Sequence, residues 1–499
     1  MNHTAGAILL VVLYVAVIFV KALRPGRGQD ASPVGYFLGG RSLGPGVLVM
    51  TISASFFSMY SFMGAYGITW RTGMNFLNQG WWMLMFLSWG GVFVGARVWL
   101  LGRRFGFITP ADLLAHYYDS RAVRALVVVL GVLILFPYAA IQFSGVGKMI
   151  EGFTDGAISY ELGVTVFLGF TASYTLVSGM RGVAWTDVLQ GALFAVVMFA
   201  ALGWVSLELG GPAGIVQEVE RVRPELFDFD QGFAWFLNLS ITWGIGFAVL
   251  PHIWQRWYAA DSLKTVYRSS WIVGVVSWAL CLPIFFIGLA AHVLLPELTA
   301  DQSDALFPLL MSRYLPTLGM FVVPAAFAAA MSTVDSMLLS ISSSVENDVY
   351  ARLRPGASDA QRARVGKRFV LVFAALLMVF AISDIGRSYI VPIGNASGSL
   401  ALVLVPPLLG PLYWPRGTRA GAVTALASGS AFVLVTLIPE ARAALLPQHG
   451  LLSFPATTGL LLTTAVFAGV SLVTSPVPYE TQAAYHGTLE QVLEGTAAS

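Results

Sequence analysis

The sequence predicts an all-α integral membrane protein of about thirteen transmembrane helices, arranged as an inverted repeat of two five-helix units. Three observations predict it. Of 499 residues, 57% are hydrophobic and only 11% charged, whereas soluble domains carry about 25% charged residues. So few charges cannot build a water-facing surface, so the lipid bilayer covers most of the chain. Apolar runs of roughly 20 residues, the length that crosses the hydrocarbon core, recur about thirteen times along the sequence. Two of these runs, five spans apart, are interrupted at mid-span by small and polar residues.

In order, the expected spans are 5–24, 45–69, 79–101, 122–150, 158–177, 184–208, 233–257, 270–295, 317–346, 366–386, 389–410, 419–438 and 455–474. The first lacks basic residues ahead of its apolar run and is followed by Lys21, Arg24 and Arg27. This reads as a retained helix with its N-terminus outside rather than a cleaved signal. Alternating the loops from there places 21 of the 28 Lys and Arg residues on the inner side, as the positive-inside rule requires. The expectation is a multi-pass protein of the plasma (inner) membrane with a cytoplasmic C-terminus. The expected divisions are an extra helix and inner loop (1–43), a repeat core (44–410), two peripheral helices (411–475) and a polar, flexible tail (476–499).

A net charge of +2 without a basic tract or motif excludes nucleic acid as a partner. The single cysteine, Cys281, excludes an intrachain disulfide framework, and its apolar neighbours read it as a structural thiol.

The second span contains "TISASFFSMYSFMGAYGITW" and the seventh "NLSITWGIGFAVLPHIW". Gly244 and Gly246 weaken helical continuity, and Pro251 removes a backbone donor. Irregular backbone at membrane depth survives only where it lines protein or a water-filled cavity. Paired breaks in two halves point to a transporter with its site at the breaks. Ordinary helix packing through small residues is the plain alternative.

The ninth span holds "AAFAAAMSTVDSMLLSISSS", with Asp335 and seven hydroxyls. An Asp at the centre of a membrane helix costs about 2.5–3.5 kcal/mol on insertion scales, and such groups commonly serve an ion path. Residues 329, 332, 333, 336, 340 and 343 share one stripe by three- and four-residue spacing. An all-oxygen stripe suits a hard monovalent cation better than a transition metal. Ser340, Ser342 and Ser344 are expected only to bond back to their own helix. Asp187 adds a second carboxylate near the start of span six, and proton coupling through Asp187 or Asp335 is the open alternative to sodium.

Four motifs carry a resemblance. "AAAMSTVDSMLLSISSS" resembles the eighth core helix of the sodium:solute symporter family. "YFLGGRSLG", "SGMRGVAWTDVLQ" and "WGIGFAVLPHIWQRWYAADS" are similar to the same family in matching order, over roughly residues 36–410. The resemblance implies the LeuT-type 5+5 inverted repeat and Na+ as coupling ion. It implies a sodium site formed by the carbonyls of Ala54, Phe57 and Ala329 and the hydroxyls of Ser332 and Thr333. It also implies a second site at Asp187, Ser332, Asp335 and Ser336, with Asp335 standing where sialic acid carriers have Ser.

Trp243, Phe247 and Pro251 fall where proline carriers line their substrate cavity. Those carriers place an Asp where this chain has Phe56, and "FPYAAIQFSGVG" looks more like monocarboxylate carriers. With Ser58, Ser61, Gln79, Tyr138 and Gln142, these positions make an aromatic wall with a few neutral polar groups, the usual make-up of a small-molecule pocket. No Lys or Arg is expected in it. The expected activity is sodium-coupled symport of a small organic solute, such as proline or a monocarboxylate, with pantothenate and sugars as alternatives. One chain suffices for the cycle. No phosphate-binding loop, HExxH or GxSxG is present, and no signalling module follows the last span, which disfavours an enzyme, a pump or a sensor. A channel shares the broken helices, and saturable accumulation of solute separates the two.

Overall fold

Two helices that stop and restart inside the membrane organise the protein. The computed structural model describes residues 3–26, 32–154, 156–229, 232–384 and 390–497. The side chain of Gln79 lies outside the described set. Helices dominate, and the one β-type pairing among the described residues is an isolated bridge between Leu43 and Ala260. Seven described helices are long and apolar enough to cross a bilayer, or up to ten if each bent pair is one span. A shorter apolar stretch, Ala5–Lys21, lies in the N-terminal helix.

The first broken helix joins Pro45–Phe56 to Tyr60–Thr72 with a 62° bend. An unbroken α-helix would pair each carbonyl with the amide four residues on. Here those amides turn elsewhere. Ser58 N donates to Phe56 O at 3.1 Å, Met59 N to Gln142 Oε1 at 2.9 Å and Tyr60 N to Ser58 Oγ at 3.2 Å. Gln142 comes from the crossing helix Arg121–Phe153. The carbonyls of Ala54 and Ser55 are thereby released from the helix ladder.

The second broken helix joins Gly232–Ala248 to Pro251–Ala259 at 44°. Pro251 opens the second half, where a missing amide costs nothing. Leu250 before it is extended, at φ −63 and ψ 134, as a residue preceding proline prefers. The break therefore follows Gly244 and Gly246 rather than falling on them. Gly246 serves close approach instead, because a Cβ there would stand 3.2 Å from Gly398 O on Ile390–Leu402.

Expected spans five and six form one run, Tyr160–Leu209, of 50 residues. Straight, it would extend roughly 75 Å, more than twice the hydrocarbon thickness. Gly179 breaks it at φ 55 and ψ −169, so the expected inner loop near Arg181 is a one-residue glycine kink. The hydroxyl-rich helix Val322–Ser344 is buried through Ser343 and packs against Tyr160–Leu209, Arg121–Phe153 and Pro45–Phe56. Its alanines allow that approach on every side. Ser340 and Ser342 do not bond back as expected: neither Oγ has a hydrogen-bond partner among the described residues. Ser343 does, donating to Ser340 O at 2.8 Å and accepting from Gln255 Nε2 at 2.5 Å.

The tail after residue 475, expected to be flexible, is largely helical. Tyr479–Ala497 is a helix whose Tyr485, Leu489, Val492 and Leu493 recur at helical spacing and pack on the core. Tyr485 is fully buried, stacks on Phe105 with centroids 4.8 Å apart, and meets His116 Nδ1 at 2.8 Å. Y485A is expected to undock this helix while the membrane core stays folded. Limited proteolysis should then cut after residue 475 faster than in wild type.

The same face carries Arg124, bonded to Asp112 (2.9 Å) and Asp348, with Arg352 on Asp112 and Arg362 on Glu346. These pairs tie the Pro110–Tyr117 helix and the ends of three long helices together beside the C-terminal helix.

Candidate functional site

The carbonyls freed at the first break face the hydroxyl helix. Ser332 Oγ lies 2.9 Å from Ala54 O and 3.0 Å from Ala329 O. Thr333 Oγ1 lies 3.2 Å from Ala329 O and 3.5 Å from Ser55 O. All five residues are buried, with Ser332 and Thr333 at 0% exposure. Five neutral oxygens thus converge from two helices, three carbonyl and two hydroxyl. Hard cations take oxygen ligands of this kind. Neutral ligands hold a monovalent ion without trapping it, which a transport cycle requires.

Four of the five expected ligands are placed in this cradle. Phe57 sits at the break itself, its ring against Phe56 and Phe194. The carbonyl facing Thr333 is that of Ser55, which is not among the ligands expected from sequence. A backbone carbonyl leaves no mark in the sequence; only its hydrogen bonding reveals it.

The residues of the expected second site also converge, but around a guanidinium. Arg256, at 0% exposure, donates from Nε to Thr51 Oγ1 (2.9 Å), from Nη1 to His252 O (3.0 Å), and from Nη2 to Asp187 Oδ2 (3.3 Å) and to Ser336 Oγ. Thr51 donates to the same Asp187 oxygen. Asp335 accepts from Tyr174 OH and, at 3.2 Å, from Ser336 Oγ. From sequence, Arg256 falls in the last turn of expected span seven and counts with the inner-side charges, whereas it is sealed inside the bundle. Moving it leaves the inner excess of Lys and Arg intact. Its flanking Trp254, Trp257 and Tyr258, all buried, were the available signal that this turn lies within the protein.

A small cavity of about 40 Å³ opens beside the cradle. Of the expected wall, Ser61, Tyr138 and Trp243 line it, joined by Phe56, Phe57, Tyr60 and Cys281. Cys281 is buried and free, so it contributes wall as well as packing. Trp243 leans on Tyr60 with centroids 5.3 Å apart and donates from Nε1 to Asn395 Oδ1 at 3.3 Å. Phe247 stands edge-on to Phe56 at 4.9 Å. Gln142 and Ser58 are used by the first break, and Pro251 by the second. No Lys, Arg, Asp or Glu lines the cavity among the described residues.

The sodium:solute symporter family model matches residues 36–429, most of the chain. The chain belongs to this family. Among relatives, the sodium/pantothenate symporter of Escherichia coli is 30% identical over 452 residues, covering 86% of this chain and 90% of the relative. The high-affinity proline transporter PutP of Bacillus subtilis is 28% identical, covering 80% and 86%. A solved sodium-coupled sialic acid symporter, in its substrate-bound outward-open state, superposes with a TM-score of 0.78 at 18% identity, covering 95% of this chain and 99% of that one. That likeness establishes the LeuT-type fold. The symporter is a multi-pass membrane transporter, not an enzyme, and sodium is its coupling ion.

Proposed function

We propose that this symporter imports a small solute bearing one carboxylate, foremost a proline-like amino acid, with a monocarboxylate as the neighbouring class. The observation that carries this reading is that cavity and cradle share the segment Ala54–Phe57. Phe56 and Phe57 form the cavity wall, while Ala54 and Ser55 supply the cradle. With no cationic side chain on the described wall, a substrate carboxylate is balanced by the sodium held at Ala54, Ser55, Ala329, Ser332 and Thr333. Multivalent anions would be left uncompensated. The aromatic rings favour a compact apolar body, and Ser61 offers a neutral hydroxyl.

The cycle follows from this arrangement. Sodium joins the first broken helix to the hydroxyl helix and orders the cavity wall, solute binds against it, and both leave inward when the cradle opens. The membrane is the cytoplasmic one, with the N-terminus outside. The cluster of Arg124, Arg352 and Arg362 beside the C-terminal helix supports a cytoplasmic location for that face.

Uptake of labelled proline into proteoliposomes, competed by lactate, pantothenate and glucose under a sodium gradient, tests the substrate class. Competition by lactate alone moves the assignment to monocarboxylates. Competition only by glucose contradicts a carboxylate-bearing solute. W243A should raise the KM for the solute by about tenfold, equivalent to roughly 1.4 kcal/mol. Its half-saturating sodium concentration should change much less, since Trp243 touches the cavity and not the cradle.

A further inference from the structure

Beside the sodium cradle lies a second concentration of buried oxygen, and the chain supplies its own cation there. We infer that Arg256 is the resident second cation of this symporter, so that the protein binds one sodium ion per chain. The inference rests on sodium occupying the cradle at Ala54 and Ser332.

Asp187, Asp335, Thr51, Ser55 and Ser336 surround the place. Ser336 Oγ donates to Ser332 O at 2.7 Å and lies 3.4 Å from Ser55 Oγ, so the cluster sits one helical turn from the cradle. Two carboxylates and three hydroxyls at 0% exposure form an oxygen shell that a hard cation would fill. The guanidinium already fills it. The oxygens an ion would need, Thr51 Oγ1, Asp187 Oδ2 and Ser336 Oγ, each accept an N–H from Arg256. A second positive charge there would meet occupied lone pairs and a like charge that never deprotonates. Asp335 uses one oxygen for Tyr174 and the other for Ser336. Asp187 Oδ1 is the one carboxylate oxygen of the pair without a hydrogen bond among the described residues, and a single oxygen is not a site. At the cradle itself, no described hydrogen bond brings Arg or Lys to Ala54, Ser55, Ala329, Ser332 or Thr333.

A covalent cation also does what an ion cannot. Arg256 belongs to Pro251–Ala259 and Thr51 to Pro45–Phe56, the adjoining halves of the two broken helices. Their ends meet again where Leu43 N donates to Ala259 O at 3.0 Å. The guanidinium ties these halves together whether or not sodium is bound.

Equilibrium binding of radioactive sodium to the purified protein, with the sodium dependence of its melting temperature as a second readout, tests this. Wild type is expected to bind one sodium per chain, lost in S332A. R256Q leaves two carboxylates without a cation and is expected to bind two, with its melting temperature rising more steeply with sodium. R256K keeps a resident charge and is expected to stay at one. Two ions in wild type, or one in folded R256Q, would overturn the inference. So would an R256Q that stays unfolded at every sodium concentration, because sodium then does not replace the guanidinium; two ions in R256K would do the same. No saturable sodium binding in wild type would instead strike the cradle reading on which the inference rests.

Discussion

Ser332→Ala and Thr333→Ala should each raise the half-saturating sodium concentration for uptake by about 10- to 100-fold. Each substitution removes one of five oxygens from the cradle. An interaction with a charged group is worth roughly 1.5–3 kcal/mol, and each 1.4 kcal/mol is about tenfold in affinity. The two hydroxyls differ in what they touch. Ser332 reaches across to Ala54, whereas Thr333 lies closer to its own Ala329 carbonyl than to Ser55. S332A is therefore expected to be the more damaging. T333S retains the hydroxyl and should stay close to wild type. Sodium titrations of initial uptake rate at fixed solute check all three. Equal sodium dependence in S332A and wild type would remove Ser332 from the site.

Asp187→Ala should be the most destabilising single change in the membrane core. It removes the one carboxylate that, among the described residues, is bonded to a fully buried guanidinium, at 3.3 Å. Breaking a buried pair by deleting one partner costs about 3–5 kcal/mol, because the survivor keeps its desolvation penalty. Against a typical total stability of about 5–15 kcal/mol, that is a large fraction. D187N keeps an acceptor for Thr51 and Arg256 and should lose less. Melting curves of the purified protein in detergent measure the order, wild type above D187N above D187A. Placing D187A at or above D187N would mean that the pair contributes nothing to holding the helices together.

The parts of this architecture legible in the sequence were those where polar chemistry interrupts an apolar run. Ser332, Thr333, Asp335 and Asp187 stood out because hydrocarbon penalises them, and Pro251 because it removes an amide. Other features gave no such contrast. The Ala54 and Ser55 carbonyls matter because Ser58, Met59 and Tyr60 turn their amides elsewhere, which is backbone geometry. Arg256 lay near the end of an apolar run, where hydropathy cannot separate a loop arginine from one drawn inward by two carboxylates. Gly179 reads as an ordinary turn glycine until its positive φ is seen within continuous helix. The C-terminal helix was hidden by overall polarity, because its docking rests on one helical stripe that begins at Tyr485.

In the proposed cycle the cradle is the hinge. On the proposed reading, sodium binds where the broken helix has surrendered its own hydrogen bonds, so ion occupancy and helix geometry would change together. The cavity proposed for the solute begins at the next two residues, Phe56 and Phe57, so the same event would set the shape of its wall.

The most direct test is solute accumulation in proteoliposomes under a sodium gradient or a proton gradient imposed alone. Concentrative uptake with the sodium gradient, its absence with the proton gradient, and its loss in S332A at low sodium are expected. Uptake of the same rate and extent in sodium-free buffer would contradict the sodium cradle at Ala54, Ser55, Ala329, Ser332 and Thr333.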